Sequence, residues 1–257
     1  MRTHTQAVQD QFDPQAQAYL TSAVHASGPD LVAAREQVAL LIKPDAQVLD
    51  VGTGAGHLSF ALAPTAARIV ALDPSPGMLT TVRAAAAARG LPQIETCEGS
   101  ADDLPFAAAR FDLVCSRYSA HHWFDVPRAL AEMRRVVKPS GFILMIDLLG
   151  ADNPLVDTHL QSIELLRDTS HVRDRSLSEW HELLGAAGFE GIEHRSWNTR
   201  LEFTPWVQRM RTPEPLVAAI RILQSGAPAE VRSALNIEAD GSFTPRTGLF
   251  WGRPVPG

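Results

Sequence analysis

Apolar and polar residues follow two alternating patterns along the first 150 residues. Short apolar runs are typical of buried strands, whereas apolar residues spaced three or four apart are typical of helices. The runs that predict strands fall at residues 47–51, 68–73, 94–99, 111–116 and 142–149. Helical patterns separate most of them, and Ser75 followed by Pro76 is a favourable start for one such helix. The alternation predicts an α/β fold with a doubly wound, mostly parallel sheet.

Two helices are expected before the first strand, over residues 15–27 and 29–42. A helix that follows the glycine-rich turn is expected to stop at Pro64. Residues 125–137 predict a helix between the fourth and fifth strands. The sequence KPSG at 138–141 predicts a turn that leads into the fifth strand.

The pattern changes after residue 150. Helical spacing recurs at residues 156–168, 177–189 and 215–224, and two strand-like segments stand at 191–197 and 247–254. These two strands are expected to close a seven-stranded sheet as an antiparallel pair. We therefore predict a ligand-binding core with N-terminal helices over residues 1–150. Residues 151–257 are expected to supply a helical cap, an acceptor region and the closing strands of the same sheet.

Composition narrows the possible partners. The 257 residues carry 23 Lys plus Arg against 29 Asp plus Glu, a net charge of -6, which disfavours nucleic acid as a partner. The N-terminus has no secretory signal pattern, and no apolar run approaches the ~18 residues of a membrane span. A cytoplasmic location is expected. The two cysteines, Cys97 and Cys115, have no metal-binding or disulfide pattern, so no metal is expected.

The segment VLDVGTGAGH at residues 48–57 combines three glycines with an acidic residue. Glycines at a strand-to-helix turn let a ligand approach the backbone. A dinucleotide fingerprint starting at Gly52 would need a small residue where His57 stands, and Asp50 would repel a pyrophosphate. Asp73, at the end of the second strand, is placed to bind ribose hydroxyls. A ligand with an adenosine ribose, a cationic amino acid and no phosphate fits these features, and S-adenosylmethionine is such a ligand.

Five segments in this order carry a family resemblance. They are LDVGTGAGH, ALDPSPGML, GSADDLPF, FDLVCSRYSAHHW and MRRVVKPSGFILMIDL, and the resemblance covers about residues 12–148. The chain resembles the class I S-adenosylmethionine-dependent methyltransferases, and is similar to the group that acts in ubiquinone and menaquinone biosynthesis. The resemblance implies that residues 1–150 bind S-adenosylmethionine.

The resemblance also implies a set of cofactor-binding residues. Asp50, Gly52 and Gly54 would hold the methionine part, Asp73 the ribose, and Met78 or its neighbour the adenine. Either Ser100 or Asp102 would accept from the adenine amino group. The full set is Asp50, Gly52, Thr53, Gly54, Gly56, Asp73, Pro74, Met78, Ser100, Ala101, Asp102 and Ser116.

Candidate catalytic residues follow the fourth strand and precede the second helix. His121 or His122 is a candidate base or acceptor anchor, and a packed or capping histidine is the alternative. Tyr19 resembles the tyrosine of a family helix that closes over the cofactor, or it merely docks that helix. His171 and Arg173 are candidates for acceptor contact in a polar loop.

The sequence thus predicts transfer of a methyl group to carbon, oxygen or nitrogen of a small molecule by a monomer or homodimer. A catalytically degenerate S-adenosylmethionine-binding protein is one alternative. An NAD-dependent oxidoreductase is another, and the failed glycine spacing disfavours it.

Overall fold

A computed structural model describes residues 3–15, 20 and 28–256. Its centre is one seven-stranded sheet with the strand order β3-β2-β1-β4-β5-β7-β6. The strands are β1 (Gln47–Val51), β2 (Arg68–Asp73), β3 (Ile94–Glu98), β4 (Phe111–Arg117), β5 (Val137–Leu149), β6 (Phe189–Asn198) and β7 (Arg246–Pro254).

The sheet is parallel except at one strand. Strands β1 to β5 pair in parallel, whereas β7 runs antiparallel to both β5 and β6. The predicted fold class is therefore confirmed, including the closing antiparallel pair. The carboxyl ends of β1, β2 and β4 lie side by side, and in a parallel sheet this edge is where ligands bind.

The KPSG prediction was wrong in one respect, because β5 begins before that segment. Phe111 pairs with Val137, and Leu113 pairs with Phe142, so the register shifts between these two pairs. Four residues of β5 lie between two partners that are only two positions apart on β4. The KPSG segment is therefore an excursion within the strand rather than a turn before it.

Ten α-helices lie in the described part of the chain: α1 (His4–Phe12), α2 (Pro29–Leu41), α3 (His57–Leu62), α4 (Pro76–Ala88), α5 (Val126–Val136), α6 (Pro154–Arg167), α7 (Leu177–Ala186), α8 (Phe203–Arg209), α9 (Glu214–Ser225) and α10 (Ala229–Ala234). As predicted, Ser75 caps α4 by accepting from the backbone N–H of Met78. The helix predicted over 15–27 lies mostly outside the described residues. Among the described helices, none is long and apolar enough to cross a membrane.

Helices pack against apolar residues on both faces of the sheet and bury it. On one face, Leu49 and Val114 pack with α5 and α7, and Trp180 of α7 is 1% exposed. On the other face, Val48 and Leu113 pack with α2, α3 and α4. The alternation of neighbouring residues between two apolar layers fixes the strand register, and with it the edge where the loops meet.

Helices α8, α9 and α10 form a separate apolar layer with α6. Leu160 and Ile163 of α6 pack with Trp206, Ile220 and Val231. Glu164 and Trp206 of this layer line a cavity together with Tyr118, which follows β4, and Leu148, near the end of β5. The layer therefore forms a wall over the sheet edge.

Candidate active site

Two neighbouring cavities open at the carboxyl ends of the strands. The outer cavity is lined by α1, the glycine loop and the ends of β2 and β4, including Asp50, Asp73 and Arg117. The inner cavity is lined by Phe12, Tyr118, His121, His122, Leu148, Glu164, Arg167, Asp168, Asp174, Thr199, Leu201, Trp206, Arg209 and Met210. Phe12, Tyr118 and His122 line both cavities, so the two share one wall.

The glycine loop needs its glycines for two different reasons. Gly52 has φ +68°, and a Cβ there would stand 1.9 Å from Ser119 Oγ, so the loops after β1 and β4 touch. Gly54 has φ +53°, lines the outer cavity, and would meet no atom within 4 Å of an added Cβ. The positive φ favours glycine at both positions, and the open space at Gly54 leaves room for a ligand.

Asp50 is fully buried at the end of β1. Its Oδ2 accepts from Thr53 Oγ1 and from Ser59 Oγ, both at 2.7 Å. Its Oδ1 has no hydrogen-bond partner among the described residues. Burial raises the pKa of this carboxyl. The unpartnered oxygen is suited to a donor group from a ligand.

Arg117 stands at the end of β4 and also lines the outer cavity. Its Nε donates to Asp30 of α2, and the two side chains are 5% and 2% exposed. Its Nη2 is buried without a partner in the described structure. Arg117 was not predicted as a site residue, although an arginine at the end of a buried apolar run was a visible signal.

Asp73 is held by backbone N–H groups at the end of β2. Gly54 N donates to its Oδ2 at 2.8 Å, and Ser75 N donates to its Oδ1 at 2.9 Å. Burial raises the pKa of Asp73 to about 6 against these two bonds, which lower it. The carboxylate is thus fixed at the cavity wall.

The other predicted cofactor residues fall into two groups. Pro74, Met78, Ser100, Ala101 and Asp102 line the outer cavity with Thr53. The Ser100 hydroxyl donates to Asp102, so the two alternatives for adenine contact are hydrogen-bonded to each other.

Gly56 and Ser116 are not among the residues that line either cavity. Gly56 has φ +86°, and an added Cβ would approach Phe60 and Val82 within 3.0 Å. The Ser116 hydroxyl donates to Val51 O at 2.7 Å. Both residues thus support the glycine loop from the side that faces away from the cavities.

Helix α1 covers the outer cavity and was not predicted. Gln9 Nε2 donates to Pro74 O at 2.7 Å, and His4 Nε2 donates to His122 O at 2.8 Å. Phe12 lies edge-on to His122, with 5.0 Å between ring centroids. The helix therefore bridges the two sides of the cavity. Tyr19, predicted to act from this region, lies outside the described residues.

His121 faces the inner cavity with a carboxylate behind it. Its Nδ1 lies 2.6 Å from Asp147 Oδ1, and its backbone N–H donates to Asp147 Oδ2 at 3.1 Å. Burial lowers the pKa of His121, but the charge and hydrogen bond of Asp147 outweigh burial and raise it to about 9. Asp147 thereby fixes the ring and holds a proton on Nδ1, and the ring is an imidazolium at neutral pH.

His122 lies in the wall shared by the two cavities. Its Nδ1 lies 3.1 Å from Ser170 O, and because a carbonyl only accepts, Nδ1 carries the proton. Its Nε2 is 3.9 Å from Asp168 Oδ2. Burial first and the charge of His121 second lower the pKa of His122 to about 4. The ring is therefore neutral, with a free electron pair on Nε2.

The two residues predicted for acceptor contact line neither cavity. His171 stands 5.8 Å from His121 between ring centroids, and its Nε2 lies 2.9 Å from Gln161 Oε1. The Arg173 side chain is 41% exposed and is 3.1 Å from Asp157 Oδ2. The structure brings both residues close to the candidate site without placing them in its walls.

Comparison with known proteins identifies the family. Residues 49–145 match the family described as methyltransferase domain. YafE of Escherichia coli (strain K12) is 46% identical over 193 residues, covering 75% of this chain and 93% of YafE. The uncharacterized methyltransferase YcgJ of Bacillus subtilis (strain 168) is 33% identical, covering 79% of each chain.

A solved structure and a more distant relative agree with this assignment. The crystal structure of YcgJ has a TM-score of 0.83 at 29% identity, covering 88% of this chain and 100% of that one. A demethylmenaquinone methyltransferase of Clavibacter sepedonicus is 31% identical, covering 58% of this chain and 68% of its own length. The chain belongs to the S-adenosylmethionine-dependent methyltransferases, and the predicted enzyme class is confirmed.

Proposed function

We propose that this enzyme binds S-adenosylmethionine in the outer cavity and transfers its methyl group to a small molecule in the inner cavity. One observation carries the proposal. Asp50 Oδ1 and Arg117 Nη2 are buried, unpartnered within the described structure, and belong to residues that line the same cavity. An α-amino acid carries an ammonium and a carboxylate, and these two groups would satisfy both atoms.

The remaining residues of the outer cavity fit the adenosine part. The Asp73 carboxylate retains electron pairs to accept from two ribose hydroxyls, because its backbone bonds use only one pair on each oxygen. Buried Met78 and Ala101 offer an apolar surface for the adenine. When bound, the cofactor supplies a methyl group on a positively charged sulfur. The chain then has to align the acceptor with that methyl group and exclude water.

His122 is the residue we propose for removal of a proton from the acceptor. It lines both cavities, and its protonated Nδ1 leaves Nε2 able to take a proton. Asp168, with its Oδ2 3.9 Å from Nε2, stabilises the imidazolium that would form. Tyr19 stays a prediction for the cofactor side.

The inner cavity supports a small-molecule acceptor, because its walls combine aromatic residues with charged ones. Phe12, Tyr118 and Trp206 supply the aromatic surface. His171 and Arg173 stay proposals for acceptor contact through movement of their loop. The net charge of -6 supports neither nucleic acid nor an anionic membrane as partner, and we propose a cytoplasmic enzyme, monomeric or dimeric.

Calorimetric titration with S-adenosylmethionine, S-adenosylhomocysteine and NAD tests the proposal. We expect the first two to bind and NAD not to bind. Arg117→Met should weaken S-adenosylmethionine binding at least tenfold, because the variant keeps an unbranched apolar stem and loses the guanidinium that would bind the carboxylate. Arg134→Met, which removes an arginine of α5 that donates to Gly188 O, is the matched control. Binding of NAD alone, or equal affinity of the Arg117 variant, would contradict the proposal. If S-adenosylmethionine binds, release of S-adenosylhomocysteine reports turnover in a screen of candidate acceptors.

A further inference from the structure

Three potential metal ligands converge beside the inner cavity. His121, Asp147 and Asp174 each offer one ligand atom, and the three atoms lie within 4.8 Å of one another. A sphere with a radius of about 2.8 Å therefore encloses all three atoms, whereas cations bind oxygen and nitrogen at about 2.0–2.6 Å. Shifts of a few tenths of an ångström would bring each atom to a coordination distance.

Asp174 is the observation that points to a ligand. Its side chain belongs to a residue that is 1% exposed, and neither carboxylate oxygen has a hydrogen-bond partner among the described residues. A buried carboxylate without a hydrogen-bond partner is costly, because it has lost its hydration and no hydrogen bond replaces it. A bound cation would remove this cost.

The arginines nearby are engaged elsewhere. Arg167 Nη1 donates to Glu164 Oε2 at 3.2 Å, and its Nε donates to Trp206 O at 3.0 Å. Arg175 Nη1 donates to Arg173 O at 2.9 Å. Neither guanidinium forms a hydrogen bond with Asp174 in the described structure. These side chains therefore leave both carboxylate oxygens of Asp174 without a hydrogen-bond donor in the described part of the chain.

The Nδ1 of His121 and the Oδ1 of Asp147 lie 2.6 Å apart, so a cation could replace the proton between them. Asp147 Oδ1 accepts from Leu148 N at 2.9 Å and holds the Nδ1 of His121. A cation bound there would displace the Nδ1 proton and use the electron pair that this proton occupies. Asp147 Oδ2 accepts one backbone N–H and retains a second electron pair. All three residues thus have electron pairs to donate.

We propose that His121, Asp147 and Asp174 bind one divalent cation at the edge of the inner cavity. A set of one imidazole and two carboxylates suits Mn²⁺, which accepts both ligand types, better than it suits Ca²⁺ or a thiophilic ion. His121 and Asp174 line the inner cavity, so an oxygen of the acceptor can reach the cation. This last step, which makes the acceptor an oxygen-bearing molecule such as a carboxylate, phenolate or enolate, rests on the proposed function.

Titration of chelator-treated protein with MnCl₂ tests the site. Calorimetry should show one Mn²⁺ per chain, and electron paramagnetic resonance should show loss of the free Mn²⁺ signal. Asp174→Asn should weaken Mn²⁺ at least tenfold. This variant should still fold, because the Asp174 side chain makes no hydrogen bond in the described structure that the substitution could break. Asp45→Asn, at an exposed position in the turn before β1, is the matched control and should bind as the parent does.

Several outcomes would overturn the assignment. The first is that the parent protein does not bind Mn²⁺, and the second is that the Asp174→Asn variant binds Mn²⁺ as well as the parent does. Binding of an alkylamine such as putrescine with no Mn²⁺ binding would also overturn it, and would indicate a cationic acceptor. S-adenosylmethionine is titrated separately into the same samples. Loss of cofactor binding with intact Mn²⁺ binding would contradict only the proposed function, and the reverse result would contradict only the cation site.

Discussion

Asp30 near the start of α2 binds the guanidinium of Arg117 at the end of β4, and both side chains are almost fully buried. The bond joins residues 87 positions apart. It holds one nitrogen of Arg117 while Nη2 stays available at the outer cavity. Asp30 therefore acts on the candidate cofactor site without lining it.

Asp30→Asn should reduce both stability and cofactor affinity. Breaking a buried ion pair costs about 3–5 kcal/mol because one charge is left unpaired, and the amide oxygen of asparagine recovers part of this. We expect a loss of about 3 kcal/mol in the free energy of unfolding by urea. Glu36→Gln on the same helix is the control, because the ion pair of Glu36 with Arg195 is exposed and long, at 3.8 Å. An Asp30 variant as stable as this control would contradict the expected role.

Gly54→Ala should abolish S-adenosylmethionine binding while the protein stays folded. The methyl group would occupy open space at the outer cavity. The left-handed backbone at φ +53° adds a strain of about 1–2 kcal/mol for alanine. Gly191 in β6 provides a matched control, because it has φ +57° and equally open surroundings far along the chain from the loop. Gly191→Ala should lose similar stability and keep full cofactor affinity; equal affinity in both variants would show that the loop does not hold the ligand.

Cofactor affinity should rise as the pH increases through about 6. Asp73 has its pKa raised to about 6 by burial, so its carboxylate is protonated below that pH and ionised above it. Only the ionised form offers all its electron pairs to the ribose hydroxyls. Calorimetry with S-adenosylmethionine between pH 5 and 8 checks this, and Asp73→Asn should show a flat profile. An unchanged slope in the variant would assign the pH effect to another group.

The same raised pKa has a consequence for folding. In the unfolded chain Asp73 titrates near 3.8, so its contribution to stability is most favourable below that pH and is lost as pH rises through about 6. The cost of keeping this carboxylate ionised in the folded protein is then of the order of 3 kcal/mol at neutral pH. The cofactor-free protein should therefore gain stability from this residue on mild acidification, while it loses cofactor affinity.

His122→Asn should slow turnover without weakening cofactor binding. The asparagine amide can still donate to Ser170 O, but it cannot take a proton from the acceptor. A positioned base contributes about 10²–10⁴-fold to a rate, so we expect a fall of at least a hundredfold in kcat. The assay is release of S-adenosylhomocysteine with an acceptor found by screening. Full turnover in the variant would show that the acceptor reacts without a base.

The strands and the glycine loop were predictable because their signals are local. Each buried strand is a continuous apolar run, and the spacing of Gly52 and Gly54 after Asp50 is visible in the sequence. Helix α1 was not predictable in this way. None of its residues is buried, and apart from Phe12, which packs against Ala55 and Met78, the helix is positioned by polar bonds such as that of Gln9 to Pro74.

The polar contacts of the site depend on the folded chain. Arg117 needs Asp30, His121 needs Asp147, and Asp174 comes from a loop after α6. These partners are 26 or more positions apart, and only the sheet order brings their elements together. The sequence pair His121 and His122 therefore could not reveal that the two rings differ in their partners and in their pKa values.

The position of Phe12 couples the release of the methylated product to the release of S-adenosylhomocysteine. It belongs to the walls of both cavities, and α1 carries it on contacts to Pro74 O and His122 O, one on each side of the outer cavity. An outward swing of α1 that frees the spent cofactor would therefore also uncover the reaction chamber. Methylated product and S-adenosylhomocysteine would then share one exit, and the rate at which this one helix opens would set an upper limit on turnover.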